Sequence, residues 1–280
     1  MMECGMLTIK GKVREIDEDS VFCAHIYSMG EDLDNSITFG VVADGMGGGK
    51  KGEIASRYAV QVLAKNINEM VIQGDLSSEK IKEVMMKSIT EANDLVSDYA
   101  KDHGIKMMGT TVTATVVKAD TMFVVNIGDS RTYLISKDGN VKKKTKDHSY
   151  VQELVDNGFL DEDGVRTHPQ RNIVTRVVDG TKDAVPDFYQ WKIYNGDTVV
   201  MCCDGLWGPL DDRVISKTVS SEGNIQEKVR LLVETANELD GSDNISVVIL
   251  RQLSGEKEES FISLLTKKKK LEASGVVYND

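Results

Sequence analysis

The sequence predicts an α+β fold in which strands and helices come in separate runs. Short apolar runs with turn-like breaks fill the first ~40 residues, two long helical patterns follow back to back, and strands then return in succession. A doubly wound parallel sheet needs strand and helix to alternate, so this order argues against one. With 280 residues, 40% of them apolar and 28% charged, the chain can bury a full core and has a globular composition.

The elements follow in order. "MLTI" (6–9), "SVFCAHIY" (20–27) and "ITFGVVAD" (37–44) read as strands, with "MGEDLDNS" (29–36) as a loop or hairpin connection. From Glu53 the period changes: Ile54, Tyr58, Val62 and Ile67, with Ala55, Ala59 and Leu63, form one apolar helical face that Gly74 closes. A second helix starts near Glu79, burying Ile81, Val84, Met85, Ile89, Ala92, Val96 and Tyr99. Strands return as "TTVTATVVKAD", "TMFVVNIGDS", "RTYLIS" and "VKKKT"; "KDGN" (137–140) predicts a tight two-residue hairpin turn, because Asp-Gly accepts positive φ. Residues 147–185 are irregular and polar apart from a short helical start, "SYVQELVDNG". "DFYQWKIY" and "DTVVMCCDG" read as strands, "IQEKVRLLVETANEL" as a helix and "NISVVILRQL" as a last strand. The segment from Ser254 is charged, and its "TKKKKLE" reads as a solvated end.

Composition narrows the function classes. Acids outnumber bases 45 to 34, a net charge of −11, which opposes binding along a phosphate backbone and so argues against nucleic acid as the main partner. Cysteines 4, 23, 202 and 203 form no CxxC pair and no metal-ligand spacing, and are expected to be reduced thiols of a cytoplasmic protein. No apolar run approaches the ~20 residues of a membrane span, and the N-terminus lacks the apolar centre of a signal peptide.

"ITFGVVADGMGGGKKG" (37–52) presents two readings: a glycine-rich phosphate cradle, or a site centred on Asp44. Gly47, Gly49 and Gly52 do spell G-x-G-x-x-G, but a second helix follows where a dinucleotide fold returns to a parallel strand. The Walker pattern fails, since Asp44 stands where its first glycine is required and no Ser or Thr follows Lys50. Asp44 has companions. Acids recur at strand ends beside small residues, in Asp44-Gly45, Gly128-Asp129, Asp204-Gly205 and Asp243-Asn244. Any one Asp-Gly reads as a turn; four such sites, in a chain without Cys or His ligand clusters, point to a hard divalent cation held by oxygen.

"VVADGMGG", "MGTTVTA", "NIGDSRTYLI", "TKDHSYVQELVDNG", "HPQRNIVTRVV", "CCDGLWGPLDD" and "GSDNISVVIL" occur here in that order. In these motifs the chain resembles the metal-dependent serine/threonine protein phosphatases of the 2C type, and among them the bacterial stand-alone members. The resemblance spans residues 7–252. It implies a four-layer αββα sandwich, two antiparallel sheets with a metal site at one end and a helix pair on each outer face. It also implies one catalytic domain over 1–252, with a flap at about 148–180, and a charged tail over 253–280.

The implied activity is hydrolysis of phosphoserine and phosphothreonine in proteins by a metal-activated water attacking in line, with no phosphoenzyme. By the same resemblance two Mn²⁺ or Mg²⁺ ions are bridged by Asp44; the Gly45 carbonyl, Asp204 and Asp243 complete one shell, and Glu18 reaches the second ion. Asp19 and Asn244 stand behind the ligands, and Arg14 grips the substrate phosphate. Asp129, Asn172 and Asp204 match a third-ion site, which stays open against the plain reading of Asp129 as a turn cap. Arg166, His168, Arg171 and Arg176 make the flap basic, suiting either acidic phosphopeptides or mere solvation of a loop. Phosphorylated proteins, and a serine/threonine kinase sharing them, are the implied partners; a monomer is expected.

Two departures stand out. Met46 replaces a histidine that serves animal members as a proposed general acid, which leaves His148 and His168 as candidates by exclusion. Cys203 replaces a common serine, as a packing residue or an oxidation-sensitive thiol beside a ligand. A cysteine-based phosphatase is excluded, because no cysteine is followed six positions later by arginine. The alternative from another class is a catalytically weak or dead relative acting as a regulatory binding module.

Overall fold

The structure, a computed structural model, describes residues 2–27, 36–47 and 51–252. The connection read at 29–36, except its last residue, the glycine and lysine at 49 and 50, and the charged tail lie outside the described residues.

Chain order is β1 (Met2–Ile9), β2 (Ser20–Tyr27), β3 (Ser36–Ala43), β4 (Gly45–Met46), α1 (Lys51–Gln73), α2 (Ser78–Asp102), β5 (Gly109–Thr110), β6 (Val112–Lys118), β7 (Thr121–Ile127), β8 (Arg131–Ile135), β9 (Val141–Lys144), α3 (Tyr150–Asp156), a 3-10 turn (Glu162–Thr167), β10 (Asp187–Lys192), β11 (Thr198–Cys202), α4 (Asp204–Trp207), α5 (Asp212–Ser220), α6 (Ile225–Leu239) and β12 (Ile245–Gln252). Two five-stranded sheets result, ordered β1-β12-β11-β8-β9 and β10-β7-β6-β3-β2, and every pairing within them is antiparallel. The predicted α+β sandwich is therefore the observed one.

The period of two along each strand builds the layers. On β12, Ile245, Val247 and Ile249 meet Ile215 of α5 and Val229 and Leu232 of α6; Val248 and Leu250 turn the other way, into the space between the sheets with Val42, Val124 and Met201. On β3, Ile37, Phe39 and Val41 pack against Ala55, Leu63 and Ile89 of the α1/α2 pair. Each such side chain, fully buried, contributes about 1.5–3 kcal/mol. The two sheets approach closely at Gly40, where an added Cβ would lie 2.5 Å from the Met201 methyl carbon.

The helix ends follow from local chemistry. Ser77 caps α2 by accepting from the Lys80 N–H at 3.3 Å. Gly74, at φ +81°, ends α1 by donating to the carbonyls of Met70 and Val71. The "KDGN" turn departs from the two-residue expectation. Ser136 N–H donates to the Asn140 carbonyl and Asn140 N–H to Ser136 Oγ, Gly139 N–H donates back to the Ser136 carbonyl, and Gly139 alone takes positive φ, +82°. This is a three-residue loop with a glycine bulge, and the residue after Asp138 is what permits it.

Candidate active site

All four acid-bearing strand ends meet at one end of the sandwich. Asp44 follows β3, Asp129 follows β7, Asp204 follows β11 and Asp243 precedes β12. Since β3 and β7 are each antiparallel to β6, they run the same way and deliver their acids to the same edge. The β1–β2 connection adds Arg14 and Glu18. Together these residues line a cavity of about 230 Å³ with Gly45, Met46, Gly47, Thr111, Asn172, Val174 and Asn244.

The backbone around each acid is pinned. Asp44 N–H donates to Thr111 Oγ1 at 3.2 Å, while its carbonyl accepts from the Thr111 N–H at 2.9 Å and from Thr110 Oγ1 at 2.8 Å. A side chain on Gly45 would put a Cβ 2.3 Å from the Gly52 carbonyl oxygen and 2.4 Å from that of Glu18. So Gly45 and Gly52 let the start of α1 press onto the end of β3, and the Gly52 N–H reaches the Glu18 carboxylate at 3.3 Å. Gly205 serves a similar approach, as its Cβ would meet the Asn244 carbonyl at 1.9 Å.

Asn244, 6% exposed, holds the loop that carries Arg14 and Glu18. Its Oδ1 accepts from the Glu18 N–H at 2.9 Å, and its Nδ2 donates to the carbonyls of Lys10 at 3.2 Å and Ile16 at 3.0 Å. Asp19 lies behind the cavity, its Oδ2 accepting from Ser246 Oγ. Trp207 Nε1 donates to the Asp129 carbonyl at 2.9 Å, and the Arg131 guanidinium stacks on the Trp207 ring at 3.5 Å. Arg131 is in turn bound by Asp147 through Nε at 3.0 Å and Nη2 at 2.7 Å, an ion pair buried on both sides.

The electrostatics are those of crowded like charges. Burial first, then the neighbouring carboxylates, push Asp44, Asp129 and Asp204 above the usual carboxylate range, and burial carries Asp19 up to about 8. Arg14 Nη2 pairs with Asp243 Oδ2 at 2.8 Å. Asp44, Cys203 and Asp204 each bring a ligand-type atom within 4.8 Å of the others. The donor set fits a hard cation: carboxylates crowd the cavity, and Asp19 Oδ1 is buried without a hydrogen-bond partner. Cys203 fits a packing role. Burial pushes its thiol well above the usual range, Sγ donates to the Asn244 carbonyl at 3.4 Å, and it accepts from Ser246 N–H.

Neither histidine named by exclusion lines this cavity. His148 is 2% exposed, accepts through Nδ1 from the Gly128 N–H and faces Asp187 at 3.3 Å through Nε2; it braces the start of the flap. His168 Nδ1 accepts from the Gln170 N–H at the flap surface. The flap's arginines also divide. Arg166 donates to the Leu210 carbonyl and to Asp212, and Arg176 to the Val185 carbonyl and Asp187. Arg171, together with Arg166, lines a second cavity of about 370 Å³, which shares Asn172, Asp204 and Asp243 with the first, whereas Arg176 lines neither.

The protein phosphatase 2C family model matches residues 26–238. The chain belongs to the protein phosphatase 2C family. Among its family relatives, a serine/threonine phosphatase of Listeria welshimeri is 30% identical over 254 residues, 90% of this chain and 96% of the relative. The solved serine/threonine phosphatase of S. agalactiae superposes with a TM-score of 0.80 at 30% identity, over 90% of this chain and 100% of that one. The catalytic domain of the phosphatase PstP, solved in complex with two manganese ions, gives a TM-score of 0.75 at 27% identity, over 90% of this chain and 99% of that domain.

Within this family frame, sequence reasoning missed the positioning duties of Thr110, Thr111 and Trp207. Their signal was present in "MGTTVTA" and "CCDGLWGPLDD", motifs noted for order alone; what hid the duties is that the acids they position, Asp44 and Asp129, lie 66 or more residues away.

Proposed function

We infer that the protein is a metal-dependent serine/threonine protein phosphatase, hydrolysing phosphoserine and phosphothreonine in other proteins. One observation carries the reading: five carboxylates, those of Glu18, Asp44, Asp129, Asp204 and Asp243, converge with one arginine on a single cavity at the end of the sandwich. The manganese-bound relative and the family match support it. Nothing at the site favours the regulatory-module alternative.

Asp44, central in the cavity, with the Gly45 carbonyl, Asp204, Asp243 and Glu18, would hold two Mn²⁺ or Mg²⁺ ions, and Asp129 with Asn172 and Asp204 would hold a third. Bound there, such ions supply Lewis acidity toward phosphoryl oxygens and lower the pKa of an attacking water. The chain's own work is positional. Arg14 has five N–H donors and spends one nitrogen on Asp243, so its fork can also take phosphate oxygens and orient phosphorus. Asn244 keeps Arg14 and Glu18 on the cavity rim, and the threonine pair fixes the direction of Asp44. Met46 carries no transferable proton and neither histidine lines the cavity, so protonation of the leaving oxygen is assigned to solvent.

Residues 1–252 are read as the catalytic domain, acting in the cytoplasm as a monomer on substrates shared with a serine/threonine kinase. Among the described residues no helix is long and apolar enough to cross a membrane. The test is phosphate release from p-nitrophenyl phosphate and a phosphothreonine peptide with Mn²⁺, with excess chelator, and by Asp204→Asn. Turnover with Mn²⁺ alone is expected. Turnover that survives chelation would overturn the metal-dependent mechanism, and none with any divalent ion would favour the binding module.

A further inference from the structure

Two cysteines outside the active site face each other at an open edge of the sandwich. On β1 the side chains alternate: Leu7 and Ile9 pack with the α5/α6 core, Gly5 backs onto α6, and Met2 belongs to the core between the sheets. Cys4, two residues from Met2, shares its inward face. On β2, Phe22 and Ile26 face α1 and α2, while Val21 and Cys23 pack on the inter-sheet core. β1 ends one sheet and β2 ends the other, and the two strands come within 8 Å, Cα to Cα. The Cys4 and Cys23 thiols lie within interaction range of each other. Cys4 is exposed and Cys23 half-buried, whereas Cys202 and Cys203 are 0% exposed.

We propose that Cys4 and Cys23 form a reversible, peroxide-sensitive disulfide site that ties together the two ends of the segment carrying Arg14, Glu18 and Asp19. That segment is the β1–β2 connection, so a bond between residues 4 and 23 closes a ring around it. A ring of this size removes freedom from the unfolded chain and from the connection itself.

The chemistry has a nucleophile and a resolving partner. The interaction with Cys23 outweighs the opposing effect of burial and lowers the Cys4 pKa to about 7, so much of it is thiolate at neutral pH. The Cys4 thiolate attacks a hydroperoxide oxygen; the O–O bond breaks, leaving a Cys4 sulfenic acid and one hydroxide or alkoxide. The Cys23 sulfur then attacks the sulfenic sulfur, the S–O bond breaks, and the Cys23 proton leaves with the oxygen as water. Two thiols are oxidised by two electrons and the peroxide is reduced by two. A dithiol reductant reverses the bond by exchange.

The experiment uses the full reduced chain. It is treated with stoichiometric hydrogen peroxide, alkylated while folded, and digested with trypsin without reductant. The expected products are a linked pair of peptides spanning 1–10 and 15–50, a monomer on non-reducing gels, and recovery of both alkylatable thiols after dithiothreitol. The melting temperature rises by roughly 5–10 °C on oxidation, and this rise is absent in Cys4→Ser and in Cys23→Ser. Peptide mapping of the unmutated chain decides independently of how either variant folds. Cys4 carried on to sulfinic acid, a dimer linked through Cys4, or both thiols still open to alkylation would each overturn the proposal, as would a linked pair with no gain in melting temperature. Because the readouts are linkage and melting, they do not depend on whether the chain hydrolyses phosphate esters.

Discussion

Replacing Asn244 by alanine removes three hydrogen bonds from one buried side chain: the one accepted from the Glu18 N–H at 2.9 Å and those donated to the Ile16 and Lys10 carbonyls at 3.0 and 3.2 Å. A net hydrogen bond contributes about 1 kcal/mol, and a buried partner left unpaired costs a further share. The summed loss is about 3 kcal/mol, offset in part if water enters beside the cavity. For a domain of this size that lowers the melting temperature by roughly 6–12 °C. The variant also frees the loop that carries Arg14 and Glu18. Misplacing a positioning group by about 1 Å costs as much as 100-fold in rate, so a fall in kcat/KM of tenfold or more is expected. Differential scanning fluorimetry and steady-state hydrolysis of a phosphothreonine peptide read both effects. Wild-type melting together with wild-type kcat/KM would refute the assignment of Asn244 as the holder of this loop.

Three further changes test other parts of the site. Asp147→Ala leaves the Arg131 charge buried beside Trp207 without its partner, so a loss of about 3–5 kcal/mol, and a melting temperature lower by roughly 10 °C or more, is expected; chemical denaturation showing less than 1 kcal/mol would contradict the buried pair. Gly45→Ala forces a Cβ to 2.3 Å from the Gly52 carbonyl, so the soluble, folded variant should lose tenfold or more in hydrolysis, with circular dichroism reporting the fold. Arg14→Ala is expected mainly to raise KM, because the guanidinium grips phosphate in ground and transition states alike; a drop in kcat at unchanged KM points instead to a transition-state role.

Much of this protein was legible before its structure. The α6 helix lies at Ile225–Leu239, the stretch its apolar spacing marked, and the short apolar runs became strands, the central ones with both faces buried. The start of β1 at Met2 went unread, since in "MECG" only Met2 and Cys4 offer apolar positions, too few to show a period of two. The α5 helix was also missed. It spans nine residues and buries only Ile215, Ser216 and Val219, too few turns for a period of 3.6 to emerge against its charged neighbours. At the site, the recurring strand-end acids announced themselves by pattern, whereas the Asn244 staple and the Arg131–Asp147–Trp207 stack join positions that only the folded sheets bring together. The glycines of "ADGMGGGKKG" were legible as the means of a close approach of backbone and helix, and Gly45 and Gly52 are needed because α1 and β3 touch there.

The most direct test of the central claim is a Mn²⁺ binding isotherm for the wild-type chain and for Asp44→Asn, recorded beside phosphate release from a phosphothreonine peptide by the same samples. Asp44 sits where the other acids converge, so the variant is expected to lose tight Mn²⁺ binding and at least roughly 100-fold in kcat while staying folded. An Asp44→Asn chain that binds Mn²⁺ as the wild type does and hydrolyses the peptide at the wild-type rate would contradict that claim.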